Sequence, residues 1–412
     1  MVFTSIGHMI DKELLRQCHV KMDGDKAVGM DGITKEDYEK DLEENLESLV
    51  ERLKKKSYKL KPAGRVEIPK GNGKMRPLSI YCYKDKLVQE VLKEILGAVF
   101  ELHFYDSMMG FRPGHSCHMA LRKLIVMLEK NKTDYVLDAD ISGFFNHEWI
   151  MKFMGARIQD PNILRLVRRM LKTGIMEDYQ FESTEEGSGQ GSVCSPVIAN
   201  IYMYYVLAWW FEEKVKPIMR GYCDIVIYAD DFVVYFQNKT EAQAFYERLK
   251  HRMGHFGLSL EEEKSRLIEF GRFAERDRKR RGEGKPETFT FLGFTHYCSE
   301  SRNDRFRAKR KTARKKFSKK CKEINRRVRD MRIWPVKNII AKLNHIPVGY
   351  YHYYGITDNS KSLGEFQYRV EKSLYYWLNC RSQKKSYTWE EFGGLMKQFL
   401  LEKPRIYVSI YG

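Results

Sequence analysis

Two adjacent carboxylates lie between apolar runs in Ile227-Tyr228-Ala229-Asp230-Asp231-Phe232. Cys223-Asp224-Ile225-Val226-Ile227 leads in and Phe232-Val233-Val234-Tyr235-Phe236 leads out, so the segment reads as a β-hairpin with an acidic tip. Two acids at a turn between buried strands cost stability unless a cation holds them. A pair of Mg²⁺ ions is the natural candidate. About ninety residues upstream, Tyr135-Val136-Leu137-Asp138-Ala139-Asp140-Ile141 forms a second acidic strand. Its period of two puts Asp138 and Asp140 on one face. If the two acidic ends meet, Asp140 and Asp230 become metal ligands, Asp231 a supporting acid and Asp138 a group just behind them. Such a cage holds two hard cations roughly 3.5–4 Å apart, which clamps the attacking and leaving oxygens of nucleotidyl transfer. The bland alternative for any single Asp-Asp pair is a solvated turn.

These acids need a scaffold, and the rest of the chain reads as a mixed one. Residues 1 to about 60 look helical, with Thr34 and Asp37 as a cap and Leu42, Leu46, Leu49 and Leu53 on one face. Gly64 to Lys70 and Lys74 to Ile80 read as strands around the turn Gly71-Asn72-Gly73. Helices are expected over 84–104, 119–128 and 148–172, then a long apolar one over 197–211 and another near 240–256. Gly110-Phe111-Arg112-Pro113-Gly114 and Gly187 to Ser192 are breaker-rich loops. Phe289 to Phe294 reads as one strand. The charged run Arg276 to Lys285 reads as a mobile surface loop, and the chain beyond Phe306 as basic helix. Strands and helices alternate without a βαβ rhythm, so the fold class is α+β. A chain of 412 residues suggests two to three domains. The divisions fall at 1–60, 61–300 and 301–412.

The net charge of +18 points to a polyanion, most simply nucleic acid. The cysteines, at positions 18, 82, 117, 194, 223, 298, 321 and 380, show no CxxC pair or zinc spacing and fit a reduced compartment. Neither a bilayer-spanning apolar run nor a signal-peptide pattern is present, so a cytoplasmic protein with no membrane partner is expected.

The Tyr-Ala-Asp-Asp tip with Asp140 resembles the palm of reverse transcriptases, and within them most closely the group II intron-encoded enzymes, or maturases. Supporting stretches follow in order: Arg65 to Lys70 with Arg76-Pro77-Leu78, then Tyr105 to Pro113, then Asp138 to Phe145. Further on come Gln190-Gly191-Ser192 with Ser195-Pro196 and Ala199-Asn200-Ile201, then Leu258-Ser259-Leu260 with Lys264-Ser265, and Phe291-Leu292-Gly293-Phe294. Each is weak alone, and the ordered set is specific. The segment from Gly7 to Thr34 resembles the family's N-terminal extension, and the region after residue 300, with Gly349 and Tyr353-Tyr354, its thumb. No HNH or cysteine-rich segment follows, so no endonuclease domain is expected.

The resemblance implies a right-hand polymerase: fingers and palm with an antiparallel palm sheet, then an all-helical thumb. It implies RNA-templated DNA synthesis from dNTPs on a DNA or RNA primer, with two Mg²⁺ ions for which Mn²⁺ can substitute. It also implies binding of structured intron RNA to assist splicing and retrohoming. Asp140, Asp230 and Asp231 are the catalytic acids, and Ile141 joins them in the metal set. Lys70 and Arg76 would hold the triphosphate, because a point cation and a guanidinium fork suit it. Phe145 would pack under the sugar and reject a 2′-hydroxyl. Gln190 and Ala229 complete the nucleotide set. Arg65, Arg112, Lys264, Arg310, Lys311, Arg314, Lys315 and Lys316 are the nucleic-acid candidates. Tyr350, Tyr351, Tyr353 and Tyr354 either stack on bases or pack in a core. The chain departs from the family pattern in two places. Asn146 runs straight into His147-Glu148-Trp149, and Ser188-Gly189 stands where Thr-Pro is usual. Two alternatives stay open: an RNA-binding splicing cofactor with weak polymerase activity, and a domesticated reverse transcriptase in phage defence or DNA repair. The oligomeric state is not legible.

Overall fold

A computed structural model describes residues 1–69, 75–143, 145–173, 175–177, 180–182, 191–301, 303–384 and 386–411. The chain divides into two compact units. The first comprises Met1–Ala120, Ala139–Val234 and Thr240–Arg266, and the second Leu121–Asp138, Tyr235–Lys239 and Leu267–Gly412. Helix and sheet are mixed, with mainly antiparallel pairing.

The strands are β1 (Ala63–Pro69), β2 (Met75–Ile80), β3 (Tyr135–Ser142), β4 (Ile175–Glu177), β5 (Gln180–Glu182), β6 (Cys223–Tyr228), β7 (Asp231–Phe236), β8 (Ser259–Leu260), β9 (Arg266–Glu269), β10 (Phe289–Phe291), β11 (Phe294–Glu300) and β12 (Phe306–Thr312). The sheet that carries the acids runs β6-β7-β3-β8, with β9 also on β3. β3 and β8 are antiparallel, with Ile141 opposite Leu260. β6 and β7 are almost wholly buried, which is why both read as continuous apolar runs. A second sheet runs β2-β1-β4-β5. In it β1 and β2 pair antiparallel from Gly64–Ile80 to Pro69–Met75, and β4 joins β1 in parallel.

Local chemistry sets the helix boundaries of the first unit. Thr34 and Asp37 form a reciprocal capping box at the start of Lys35–Glu39. Asp160 caps Pro161–Leu171 through the N–H groups of Asn162 and Ile163. The stretch read as one helix over 148–172 is two, His147–Gly155 and Pro161–Leu171. The break falls where Pro161 can start a helix but not continue one. The helix Tyr83–Phe100 is buried on nearly all sides and packs on Ser195–Met203. That second helix runs on into π-turns at Tyr204–Ala208 and Phe211–Val215.

Three expectations fail in the second unit. The first concerns the basic run after Phe306, which is strand β12 before it is helix; the helix begins at Arg314. Ala308, Arg310 and Thr312 face inward, and the charged residues between them face outward. A buried arginine disguised that alternation. The second concerns Phe289 to Phe294, which is a hairpin: Leu292 and Gly293 both have positive φ (47° and 78°), so a two-residue turn joins β10 to β11. The third concerns the charged run 276–285, whose first half belongs to the helix Ala274–Arg280. Beyond β12 come the helices Arg314–Met331, Val336–Tyr354, Ser360–Asn379 and Trp389–Gln398. Ile324, Val328, Leu343, Phe366, Leu374 and Phe392 form their common core. Tyr350 and Tyr351 belong to it too, Tyr350 stacking on Phe366 at 3.8 Å, so they are core residues and not base platforms. Among the described residues, no helix is long and apolar enough to cross a membrane.

Candidate active site

Asp140 sits near the end of β3, half-exposed like Asp138, while Leu137 and Ala139 are buried on the other face. The turn after β8 grips Asp140 at three points. The Glu261 N–H donates to its carbonyl (2.9 Å), its own N–H donates to the Ser265 hydroxyl (3.2 Å), and its carboxylate pairs with the Lys264 ammonium (2.9 Å). Glu261 also pairs with Lys264. These two acids hold the Lys264 pKa above its ordinary value, the Glu261 hydrogen bond contributing most. Lys264, a nucleic-acid candidate from sequence, instead has its ammonium on Asp140 and Glu261.

Asp230 is exposed at the tip of the β6–β7 hairpin, and Asp231 is the first residue of β7, the strand paired beside β3. A two-residue turn demands an unusual backbone at its first position, and Ala229 supplies it at φ 59°. An alanine there carries strain of roughly 1–2 kcal/mol.

What holds that tip is not visible in the sequence. The Met109 N–H donates to the Ile227 carbonyl (2.8 Å) and the Ile227 N–H to the Ser107 carbonyl (2.7 Å), so the loop before Gly110 zips onto β6. Gly110 lies flat on the turn; a Cβ there would sit 2.3 Å from the Ala229 nitrogen. The buried Asn200 amide donates to the Gly110 carbonyl at 2.7 Å. The signal was present in Gly110 and Asn200, but only the contact reveals that they meet. Arg112 serves the same loop. It pairs with Glu101 at 2.8 Å and donates to the carbonyls of Tyr105 (2.8 Å) and Met108 (2.6 Å), with its side chain 7% exposed. It therefore holds this loop together and is not the template contact expected from sequence.

Phe145 is half-buried with its ring 4.5 Å from that of Tyr202. Asn146, the first departure, caps the next helix by accepting from Glu148 (2.9 Å) and Trp149 (3.2 Å). Asparagine does this as well as aspartate. Gly191 has φ 113°, and a Cβ on it would fall 2.4 Å from the Ser79 carbonyl. The backbone there approaches β2 too closely for any other residue. Lys70, Gln190, Ser188, Gly189 and Phe144 lie outside the described residues, as does the side chain of Arg76.

Arg310 is fully buried and bonds to Asp358 (2.9 Å). So buried, it cannot track a phosphate backbone, contrary to the expectation from sequence. Lys311, Arg314, Lys315 and Lys316 are exposed. Arg65 is half-buried and 3.8 Å from Glu67. Among the described residues, no three His, Cys, Asp or Glu side chains converge closely enough to hold a metal ion.

Residues 68–296 match the family model of the reverse transcriptases (RNA-dependent DNA polymerases), which covers more than half of the chain. The chain belongs to that family. Residues 314–392 match the maturase-specific domain of group II introns. The chain is 30% identical over 220 residues to the group II intron-encoded protein LtrA of Lactococcus lactis subsp. cremoris, covering 52% of this chain and 36% of that one. It is 29% identical over 280 residues to protein YkfC of Escherichia coli K12, covering 59% and 73%. It is 33% identical over 162 residues to an uncharacterized 91 kDa protein in the cob intron of Schizosaccharomyces pombe, covering 39% and 20%. The alignment thus spans about a third of the length of LtrA.

Proposed function

We propose that this protein is an RNA-directed DNA polymerase that copies RNA from a primer using dNTPs, and that it binds structured intron RNA. The observation that carries the reading is the grip on Asp140: a carboxylate on β3, beside the Asp230–Asp231 hairpin, already held by a cation. Its chemistry suits hard ions. Carboxylates of Asp140 and Asp230, with the backbone carbonyl oxygen of Ile141, are donors that Mg²⁺ prefers. When bound, two such ions, Mg²⁺ or Mn²⁺, would supply the Lewis acidity that activates a 3′-hydroxyl and neutralises a leaving pyrophosphate.

The remaining work falls to the chain itself. Asp140 and Asp230 would hold the ions, with Asp231 adding negative charge. Ser265 and the Glu261 N–H fix the strand that presents Asp140. Ala229 fixes the turn and lies where the nucleotide would rest. Lys70, Arg76 and Gln190 would bind the triphosphate side of the dNTP, and Phe145 would exclude a 2′-hydroxyl. In this reading β3 and β6–β9 are the palm, β1 and β2 belong to the fingers, and the helices from Arg314 onward form the thumb. The match to a maturase-specific domain and the exposed Arg314, Lys315, Lys316 and Lys319 support binding of structured RNA. The test is extension of an oligo-dT primer on poly-rA with dTTP and Mg²⁺. Extension that stops on chelation is expected; an inert protein under Mg²⁺ and Mn²⁺ alike would overturn the polymerase reading.

A further inference from the structure

The loop that braces the catalytic turn also carries an aromatic ring that the fold does not use. Phe111 is 62% exposed, among the most exposed large apolar residues of the first unit. Its backbone is at φ 55°, a conformation that suits glycine and penalises a bulky side chain. The cause is geometric. Gly110 must lie flat on Ala229, and Arg112 must fold back beneath the loop onto Glu101 and the Tyr105 and Met108 carbonyls. The residue between them takes up the reversal, and its side chain is pushed outward. A glycine would do this without strain. Phenylalanine instead presents a ring to water, 6.2 Å from the ring of Tyr228 in the catalytic turn.

The ring forms one wall of a cleft of about 640 Å³ lined by Phe104, Pro113, Pro196, Val197, Asn200 and two ion-paired carboxylates, Glu94 and Glu101. Two cations reach it, and both are engaged: Lys93 by Glu90 at 2.7 Å and Arg112 by Glu101 at 2.8 Å. Among the described residues, the cleft therefore offers no unengaged cation to a phosphate. It offers flat apolar surfaces, which suit the face of a nucleobase. The ring itself lies 6.2 Å from that of Tyr228 and follows Gly110, which rests on Ala229, so a base stacked on it would sit beside the Asp230 turn.

We propose that Phe111 is a stacking platform for a base of the bound template–primer, positioning the nucleic acid beside the Asp230 turn. The proposal rests on the polymerase reading for its setting, but it is tested by binding and not by synthesis. The probe is an RNA template annealed to a DNA primer, with 5-iodouracil placed in either strand near the primer terminus. Long-wavelength irradiation joins iodouracil to an aromatic ring stacked on it, and peptide mapping locates the ring. A cross-link at Phe111 is expected. Phe111→Gly should abolish it and weaken template–primer binding roughly tenfold, with no loss of thermal stability because glycine suits this backbone. Phe111→Trp should restore binding. The proposal is overturned if neither strand cross-links to Phe111, or if Phe111→Gly binds as tightly as the wild type. It is equally overturned if binding falls together with stability and Trp fails to rescue it. A wild type that cross-links at Phe111 yet makes no DNA would refute the polymerase reading alone. A wild type that makes DNA without the cross-link would refute this inference alone.

Discussion

Adding one methyl group at Gly110 tests how the Ala229–Asp230 turn is held. A Cβ there would meet the Ala229 nitrogen at 2.3 Å, the Tyr228 carbonyl carbon at 2.9 Å and the Ala229 Cα at 3.1 Å. All three are backbone atoms, so no rotamer change relieves the clash. Ordinary contact begins near 3.4 Å, so the loop and the turn must separate by about 1 Å. Overpacking of this kind costs roughly 1–3 kcal/mol. The loop resists, because Asn200, Arg112 and two hydrogen bonds to Ile227 hold it. The turn therefore moves, and Asp230 and Asp231 move with it. A misplacement of about 1 Å at a reacting centre can lower the rate on the order of a hundredfold. Single-turnover addition of one dTTP to a primed poly-rA template measures this, with RNA affinity followed on the same preparation. The expected outcome for Gly110→Ala is a rate about two orders of magnitude lower with RNA affinity near that of the wild type. A folded Gly110→Ala protein with the wild-type rate would show that the loop does not set the position of the turn.

Other consequences follow from the same structure. Asp160 accepts from the N–H groups of Ile6 (2.7 Å), Gly7 (2.7 Å), Asn162 (2.8 Å) and Ile163 (3.3 Å). Burial opposes its charge, but these four donors prevail and hold its pKa below the usual value. A depressed carboxylate stabilises the fold above its unfolded pKa, roughly 4, and loses that effect as pH falls through the folded value. Asp160→Asn should therefore lower the melting temperature at pH 7, with the gap to the wild type narrowing below about pH 4. A gap independent of pH would contradict the assignment. Replacing Lys315, Lys316 and Lys319 together by Gln should weaken RNA binding and reduce the slope of log affinity against log salt by roughly 2–3; an unchanged slope would remove this helix from the RNA interface.

The sequence made the local structure of the first unit readable wherever one physical signal dominated. The Thr34–Asp37 box, the leucine face of Leu42–Lys54 and the apolar runs around Asp230 each have a single cause. It misled where two signals competed. Arg310 and the lysines around it have the composition of a solvated helix, but Arg310 is sealed in β12 against Asp358. Phe291-Leu292-Gly293-Phe294 looks continuous because a leucine occupies a left-handed position that usually signals itself with Asn or Asp. For Tyr350 and Tyr351 the sequence left a stacking surface and a core both open, and the helix Ser360–Asn379 covers them in a core. At the candidate site, residue type and spacing single out Asp140, Asp230 and Asp231 as candidates. Their supports were not, because Gly110 reaches Ala229, Asn200 reaches Gly110 and Lys264 reaches Asp140 only through contacts between residues distant in sequence.

The most direct test of the central claim compares wild type and Asp230→Ala in primer extension on poly-rA, with RNA binding measured on both. The reading predicts cDNA from the wild type only, with equal RNA affinity. Undiminished cDNA from a clean Asp230→Ala preparation would contradict it.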